Sequence, residues 1–443
     1  MKKVLVISYY FPPVAAGSVL RPLKFIKYFP KYGWKPYVVT VTPKNYYAKD
    51  EYLINELEGL DVKIYRTPSR GKRNIFNTHK RKVLPNDRKR QFFFKFQQVY
   101  RIPDSKIRWK NKALKLASEI IEKEKIDIIF STAPPFTDLL IANELKKKYN
   151  IPLVIDYRDS WIYSPSNFYL TPIHKFSNSK NELEIIRKAD VILSVNRRIK
   201  ELLIETYQNV RHADVNVIPH GFDQEDFDMS VSQLPRTNKM RITHAGTFFE
   251  NTTPEFFLKG LSIAIAKEPE LNKKLEACFL GVLSKKHAEL FRKYKLQGLI
   301  NAPGYVNHHE CIKYLVSSDV LWFMIGNREM DQIISPVKLS EYIGARKPVL
   351  ACVPEGASKS MLRFYEAVKI CEPQDSAAIA NAILEYYDLF KKNSLPKPCE
   401  DTVLQYDVEK LTYKVVRHFE FLIDIPTEIE FVGKKIDVEA SNA

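Results

Sequence analysis

The chain opens with Val4-Leu5-Val6-Ile7-Ser8, an apolar run too short for a helix and apolar on both faces. Such a run suits a central strand of a parallel sheet, where both faces are covered. A loop from Tyr9 to Ser18 follows. From about Val19, Leu20, Leu23, Phe25, Ile26 and Phe29 recur at helical spacing until Pro30 and Gly33 close the helix. Tyr37-Val38-Val39-Thr40-Val41 is the next strand. Strand, loop, helix, strand is a βαβ unit, and parallel strands need such crossovers. The same grammar returns at Ile126–Phe130, Leu153–Asp156, Asp190–Val195 and Val215–Ile218. Polar residues from Ser230 to Asn238, with Pro235, read as a linker. Arg241-Ile242-Thr243-His244 then restarts the pattern, which continues at Cys278–Gly281, Val320–Met324 and Val349–Val353. At 443 residues the chain is too long for one simple core. The expected architecture is α/β, two Rossmann-like domains facing across a cleft. The expected bounds are residues 1–229 for the first domain, with a basic insertion over 66–110, and 238–400 for the second. In 401–443 we expect an amphipathic helix, Tyr406 to Phe421, crossing back to the first domain, then a tail.

Ligands of open parallel sheets gather at the carboxyl ends of strands. The first such loop carries Gly17 alone, where a dinucleotide fingerprint needs a glycine triplet, which argues against a nicotinamide cofactor. Its small residues, Ala15 to Ser18, still let a ligand approach the backbone. Arg158, Asp159 and Trp161 follow a strand, either as site residues or as a pair bracing a loop. Gly246 and Thr247 form a turn that holds a phosphate or merely turns. His220, between Pro219 and Gly221, reads first as a loop residue. Asp226-Phe227-Asp228 reads as a solvated turn, so no metal site is expected. In Ser335-Pro336-Val337-Lys338-Leu339-Ser340-Glu341-Tyr342, Ser335 is placed to cap a helix and Pro336 to open it. Free amides and Lys338 suit a phosphate, and Glu341, one turn deeper, suits a ribose diol. The plain alternative is a surface helix whose Lys338 and Glu341 are solvated.

Net charge is +17, favouring anionic partners without choosing among them. From Arg70 to Lys95 there are ten Lys/Arg against one acid, Asp87, with Phe92-Phe93-Phe94 among them. This is a solvated insertion, a patch for an anionic membrane surface, or, less in keeping with the mixture, a nucleic-acid arm. The five cysteines are scattered, with no zinc or disulfide spacing. The N-terminal apolar run, cut by Ser8 and Pro12-Pro13, is too short for a signal peptide, and no run approaches membrane-spanning length. A cytoplasmic protein, peripheral on the inner face of the membrane, is the expectation.

Several motifs taken together resemble the retaining glycosyltransferases of family four, which have the GT-B fold. They are Ser8-Tyr9-Tyr10-Phe11-Pro12-Pro13 with Gly17 and Arg21, Ser131 to Phe136, Asp156 to Trp161, and Ile218 to Asp223. In the second half they are Ala245-Gly246-Thr247, Gly304-Tyr305-Val306 and Lys338 to Tyr342. The resemblance implies that the second domain binds a nucleotide-sugar and the first an acceptor. It implies that Glu341 meets the ribose, that Gly246, Thr247 and Lys338 hold the diphosphate, and that Gly17 closes on it. Gly304 and Tyr305 would meet the base through backbone. The chain departs from the family pattern where Ile333 replaces the first of two glutamates and where Asn251, Thr252 and Thr253 stand in place of an Arg and a Lys. Lys338 and Arg21 are then the cations available.

The implied reaction is transfer of a sugar from a nucleoside-diphosphate sugar to an acceptor hydroxyl with retention, in surface polysaccharide or glycolipid synthesis. Its partners are the nucleotide-sugar donor, as co-substrate with no further cofactor, and a glycan or lipid-linked acceptor. Lys338 and Asp159 are the candidate catalytic residues. Two other readings stay open: a sugar-nucleotide epimerase on the same fold, and a basic binding protein for membrane or nucleic acid without catalysis.

Overall fold

The computed structural model describes residues 1–43, 49–68, 102–164, 169, 171–228, 234–235, 237–248 and 252–424. The basic stretch 70–95 and the tail after 424 lie outside them, as does most of the expected linker. Two parallel sheets organise the described chain.

The first contains β1 (Lys2–Ile7), β2 (Trp34–Val41), β3 (Lys63–Thr67), β4 (Ile128–Ala133), β5 (Leu153–Tyr157), β6 (Val191–Ser194) and β7 (Val215–Val217). Their order is β3-β2-β1-β4-β5-β6-β7, all parallel. The second contains β8 (Met240–Ala245), β9 (Leu275–Leu280), β10 (Ile300–Gly304), β11 (Val320–Met324), β12 (Val349–Cys352) and β13 (Val368–Cys371). Their order is β10-β9-β8-β11-β12-β13, again all parallel. In both sheets the strand order reverses beside the first strand of the domain, which opens a crevice there.

The continuous apolar runs are explained by burial on both faces. In the first domain Leu5, Ile7, Ile129 and Ile155 pack on one side, while Val4, Val6, Phe130 and Val154 pack on the other. In the second, Ile242, Phe279, Trp322 and Leu350 oppose Leu321, Phe323, Val349 and Ala351. The helix after β1 begins at Gly17 and ends at Tyr28, where a 3-10 turn, Phe29–Tyr32, leads to Gly33 at φ 79°. Glycine reaches that left-handed conformation without strain.

The chain passes between the domains twice. Phe222 N–H donates to the Tyr406 carbonyl at 2.9 Å, and Val408 N–H donates to the Phe222 carbonyl at 2.8 Å. The two crossings are therefore hydrogen-bonded to each other. Phe222 inserts under the second domain, so a Cβ at Gly344 would fall 2.5 Å from its ring. The helix Val408–Asp424 lies on the first domain, with Leu411, Val415 and Phe419 buried against Val4, Val6 and Phe130. No helix among the described residues is long and apolar enough to cross a membrane.

Candidate functional site

A cleft of about 530 Å³ runs between the two domains at the carboxyl ends of their strands. From the first domain come the Ala15–Ser18 lip, Asp50, Arg158, Asp159 and His220; from the second come Gly246, Thr247, Tyr305, His308, Ser335, Pro336, Lys338 and Glu341. Thus Gly17, Asp159, Gly246, Thr247, Tyr305, Ser335, Pro336, Lys338 and Glu341 share one cleft. Gly304 stands behind this wall: its carbonyl accepts from Gly281 N–H at 2.8 Å. Another hollow, of about 470 Å³, lies at the amino ends of the second sheet's central strands and is lined by Lys239, Arg241 and Lys347. Arg241 there is already paired with Glu276 at 2.8 Å. The chemistry concentrates in the interdomain cleft.

The floor of the second domain's half is glycine-built. Gly246 follows β8 at φ 131° and Gly281 follows β9 at φ 125°. A Cβ at Gly281 would meet the Gly246 carbonyl at 2.8 Å. The Thr247 hydroxyl accepts from Val282 N–H at 3.2 Å and joins the two turns. Tyr342 OH fixes the end of β8, accepting from Ala245 N–H at 2.7 Å. Above this floor stands Lys338, whose Nζ lies 3.4 Å from the position a Gly246 Cβ would take. Among the described residues Lys338 Nζ has no hydrogen-bond or ion-pair partner; it sits 5.5 Å from the Phe323 ring centroid. Burial lowers its value to about 8, with the Glu341 charge pulling the other way. Glu341 is 9% exposed. Burial raises its carboxyl, and His308 is the first influence opposing that rise.

Three expectations change here. The helix carrying Lys338 and Glu341 runs Val337–Gly344 with Pro336 as its N-cap, one residue later than expected. Ser335 does not cap it. Its Oγ instead accepts from Asn196 Nδ2 at 2.9 Å, and the same amide donates to the Ile333 carbonyl at 3.0 Å. Asn196 belongs to the first domain, where its Oδ1 caps the helix Arg197–Thr206, so Ser335 marks a domain contact.

Arg21 is not available to a ligand. It grips Asp156 through Nε and Nη2 at 2.9 and 2.7 Å, and its remaining donors reach the carbonyls of Pro219 and Ile218. The cation facing the cleft from this domain is Arg158. It donates to the carbonyls of Ser18 and Pro134, and its Nε has no partner among the described residues.

Asp226 is buried, not a solvated turn. Lys24 Nζ lies 2.8 Å from Asp226, 2.9 Å from Asp223 and 2.6 Å from Glu56. These three acids have the closeness of a metal-ligand set, but the lysine ammonium occupies the centre of that charge.

His220, read first as a loop residue, is 5% exposed and lines the cleft. Burial, then the charges of Arg21 and Arg158, push it well below the ordinary histidine value, so it is a neutral imidazole. Asp159 opens to the cleft, and desolvation by the protein around it raises its carboxyl to about 6 against the pull of Arg158.

His308, Asp50 and Asn196 carry no motif. Their place in the site comes from the meeting of two domains, which local spacing does not encode.

Residues 23–226 match the family model Glycosyltransferase Family 4, so the first domain carries a glycosyltransferase-family domain. Among solved structures, the chain is similar to a glycosyltransferase from Rickettsia africae, with 16% identity, TM-score 0.62, and 96% of this chain and 99% of that one covered. It is similar to sucrose-phosphate synthase from Thermosynechococcus elongatus, with 13% identity, TM-score 0.63 and coverage of 95% and 99%. It is also similar to HepE of Anabaena, solved in complex with UDP-glucose, with 15% identity, TM-score 0.61 and coverage of 95% and 100%. No curated protein matches the chain. At such identities the structural likeness concerns the fold, and the fold is GT-B.

Proposed function

We propose that this chain is a glycosyltransferase that moves a sugar from a nucleoside-diphosphate sugar to an acceptor hydroxyl with retention. The observation that carries this reading is Lys338, an unpartnered ammonium beside the Gly246 backbone at the start of a helix. A half-buried cation with no ion-pair partner among the described residues is unfavourable in the empty protein. It is explained by an anion that arrives with the substrate.

In this reading the diphosphate lies over Gly246 and Thr247, with Lys338 and the free amides at the start of Val337–Gly344 facing it. As the bond to the sugar breaks, negative charge grows on the leaving diphosphate, and fixed donors aimed at that charge lower the barrier. Glu341 accepts the ribose hydroxyls. Tyr305 lies along the wall where the base would rest, and Gly17 closes the diphosphate side from the first domain. Asp159, on the opposite wall, orients the acceptor hydroxyl or a hydroxyl of the donor sugar. The similarity to a protein solved with UDP-glucose supports a nucleotide-sugar donor. A surface polysaccharide or lipid-linked acceptor suits the net charge of +17, and the basic stretch 70–95 is the segment proposed to meet an anionic leaflet.

The test is a thermal-shift panel of UDP, GDP, ADP and their common sugars on the wild type and Glu341→Ala. Stabilisation by one nucleotide series, lost in the variant, is expected. No shift with any nucleotide would overturn the reading. Product analysis separates transfer from epimerisation: a transferase releases free nucleoside diphosphate together with a glycosylated acceptor.

A further inference from the structure

The seam between the domains, beside the cleft, is built of charge. Lys24 gathers Glu56, Asp223 and Asp226, and Lys27 adds a second contact to Asp223 at 2.6 Å. Asp226 keeps one oxygen for this cluster and turns the other toward His308 Nε2 at 3.0 Å. His308 opens the helix His308–Val316 in the second domain. Its backbone N–H donates to Asp50 Oδ2 of the first domain at 2.8 Å. Its Nδ1 lies 3.5 Å from Glu341 Oε1. One residue therefore touches the first domain, the end of the interdomain connection, and the carboxylate assigned to the donor.

We propose that His308 is a positioning residue for the nucleotide donor: its imidazolium holds the Glu341 carboxylate oriented toward the ribose diol and ties that orientation to the seated position of the two domains. This rests on Glu341 being the ribose-binding group.

The charges around Glu341 explain why it needs such a partner. Burial pushes its carboxyl toward the neutral form, and Asp226 pushes the same way. A protonated carboxyl accepts poorly from two hydroxyls. Lys24 is held by three carboxylates, and Lys338 points over Gly246. Of the cations that oppose the rise, His308 acts most strongly, ahead of Lys24 and Lys338. Burial works against its charge, but Asp226 and then Glu341 outweigh that and carry it to about 9. At neutral pH it is an imidazolium with an N–H for each carboxylate. The helix start does not depend on its ring, because the Asn307 side chain caps that helix by accepting from Glu310 N–H at 2.7 Å.

The experiment compares the tightest-binding of UDP, GDP and ADP with its 2′,3′-dideoxy form, on wild type, His308→Asn, His308→Gln, Glu341→Ala and His308→Asn/Glu341→Ala. The ribose form should weaken about tenfold in His308→Asn, the order expected for one misplaced charge-assisted contact. The dideoxy form should change little, and the double variant should be no weaker than Glu341→Ala. His308→Gln, whose longer side chain carries its amide N–H donors further toward Glu341 than asparagine does, should recover part of the preference. Equal weakening of both nucleotides in His308→Asn, or additive loss in the double variant, would show a general structural role and overturn the proposal. If Glu341→Ala removes the ribose preference and His308→Asn does not, His308 alone is misassigned. If Glu341→Ala leaves the preference intact, the ribose assignment falls and this proposal falls with it.

Discussion

Replacing Lys338 with methionine should make the empty protein more stable and the enzyme far worse. The side chain keeps its length and most of its apolar contact, so little packing is lost. What is lost is an ammonium held at about 8 rather than its usual 10.5. For a base, a folded-state value below the unfolded one is a penalty. It is complete below pH 8, fades as pH rises, and vanishes above the unfolded value. At neutral pH its ceiling is about 3 kcal/mol, and partial access to the cleft brings it nearer 1 kcal/mol. For a domain of this size that is a rise in melting temperature of about 2–8 °C. Catalysis should move the other way. Removing one donor to the leaving diphosphate raises the barrier by about 3 kcal/mol, roughly a hundredfold in rate. The assay is scanning calorimetry of both proteins at pH 7 and pH 10 without nucleotide, beside initial rates with the donor selected by thermal shift. The stability gain should shrink at pH 10. Turnover within threefold of wild type would refute the assignment. So would a variant less stable than wild type at pH 7, since that makes Lys338 a structural residue.

Other perturbations probe separate parts of the molecule. Asp159, raised to about 6, is ionised at neutral pH and protonated as pH falls through that value. The transfer rate should decline below about pH 6 in the wild type, and Asp159→Asn should be slow with a flat acid limb; an unchanged limb removes Asp159 from the reaction. Gly344→Ala forces a methyl to within 2.5 Å of the Phe222 ring, and overpacking of this kind is expected to cost about 1–3 kcal/mol in denaturant unfolding. Asn196→Ala removes both hydrogen bonds that Asn196 makes to Ser335 and Ile333. It should raise the donor KM more than it changes kcat, and equal effects on both would count against a role in seating the domains. The protein should float with anionic liposomes at low salt through the basic stretch, at about 1 kcal/mol per engaged Lys or Arg; equal flotation with neutral liposomes would remove the electrostatic argument.

The fold was legible where strands are buried on both faces. Val4–Ile7, Tyr37–Val41 and Val349–Cys352 cannot be amphipathic, and their apolar continuity is visible in the chain. Three of the four edge strands were not. Lys63–Thr67, Ile300–Gly304 and Val368–Cys371 each have one neighbour, and their mixed composition hides them. In the site, Lys338, Glu341, Gly246 and Asp159 stood out because they follow strands or open a helix. Asp226 was misread because its neutralising partner, Lys24, is far away in the chain. Arg21 was misread for the same reason: nothing near it shows that Asp156 holds it. His308 went unseen because its partners come from three separate segments.

The helix Val408–Asp424 has a consequence for how the molecule comes into being. Leu411, Val415 and Phe419 complete one wall of the first domain's core, so the half of the protein that leaves the ribosome first is closed last. Until then the face carrying Val4, Val6 and Phe130 is covered only in part, by the helix Gly17–Tyr28 and Phe29, while the second domain is made. A fragment ending before the second domain should be prone to aggregate, and supplying the missing helix on a separate peptide should restore its solubility.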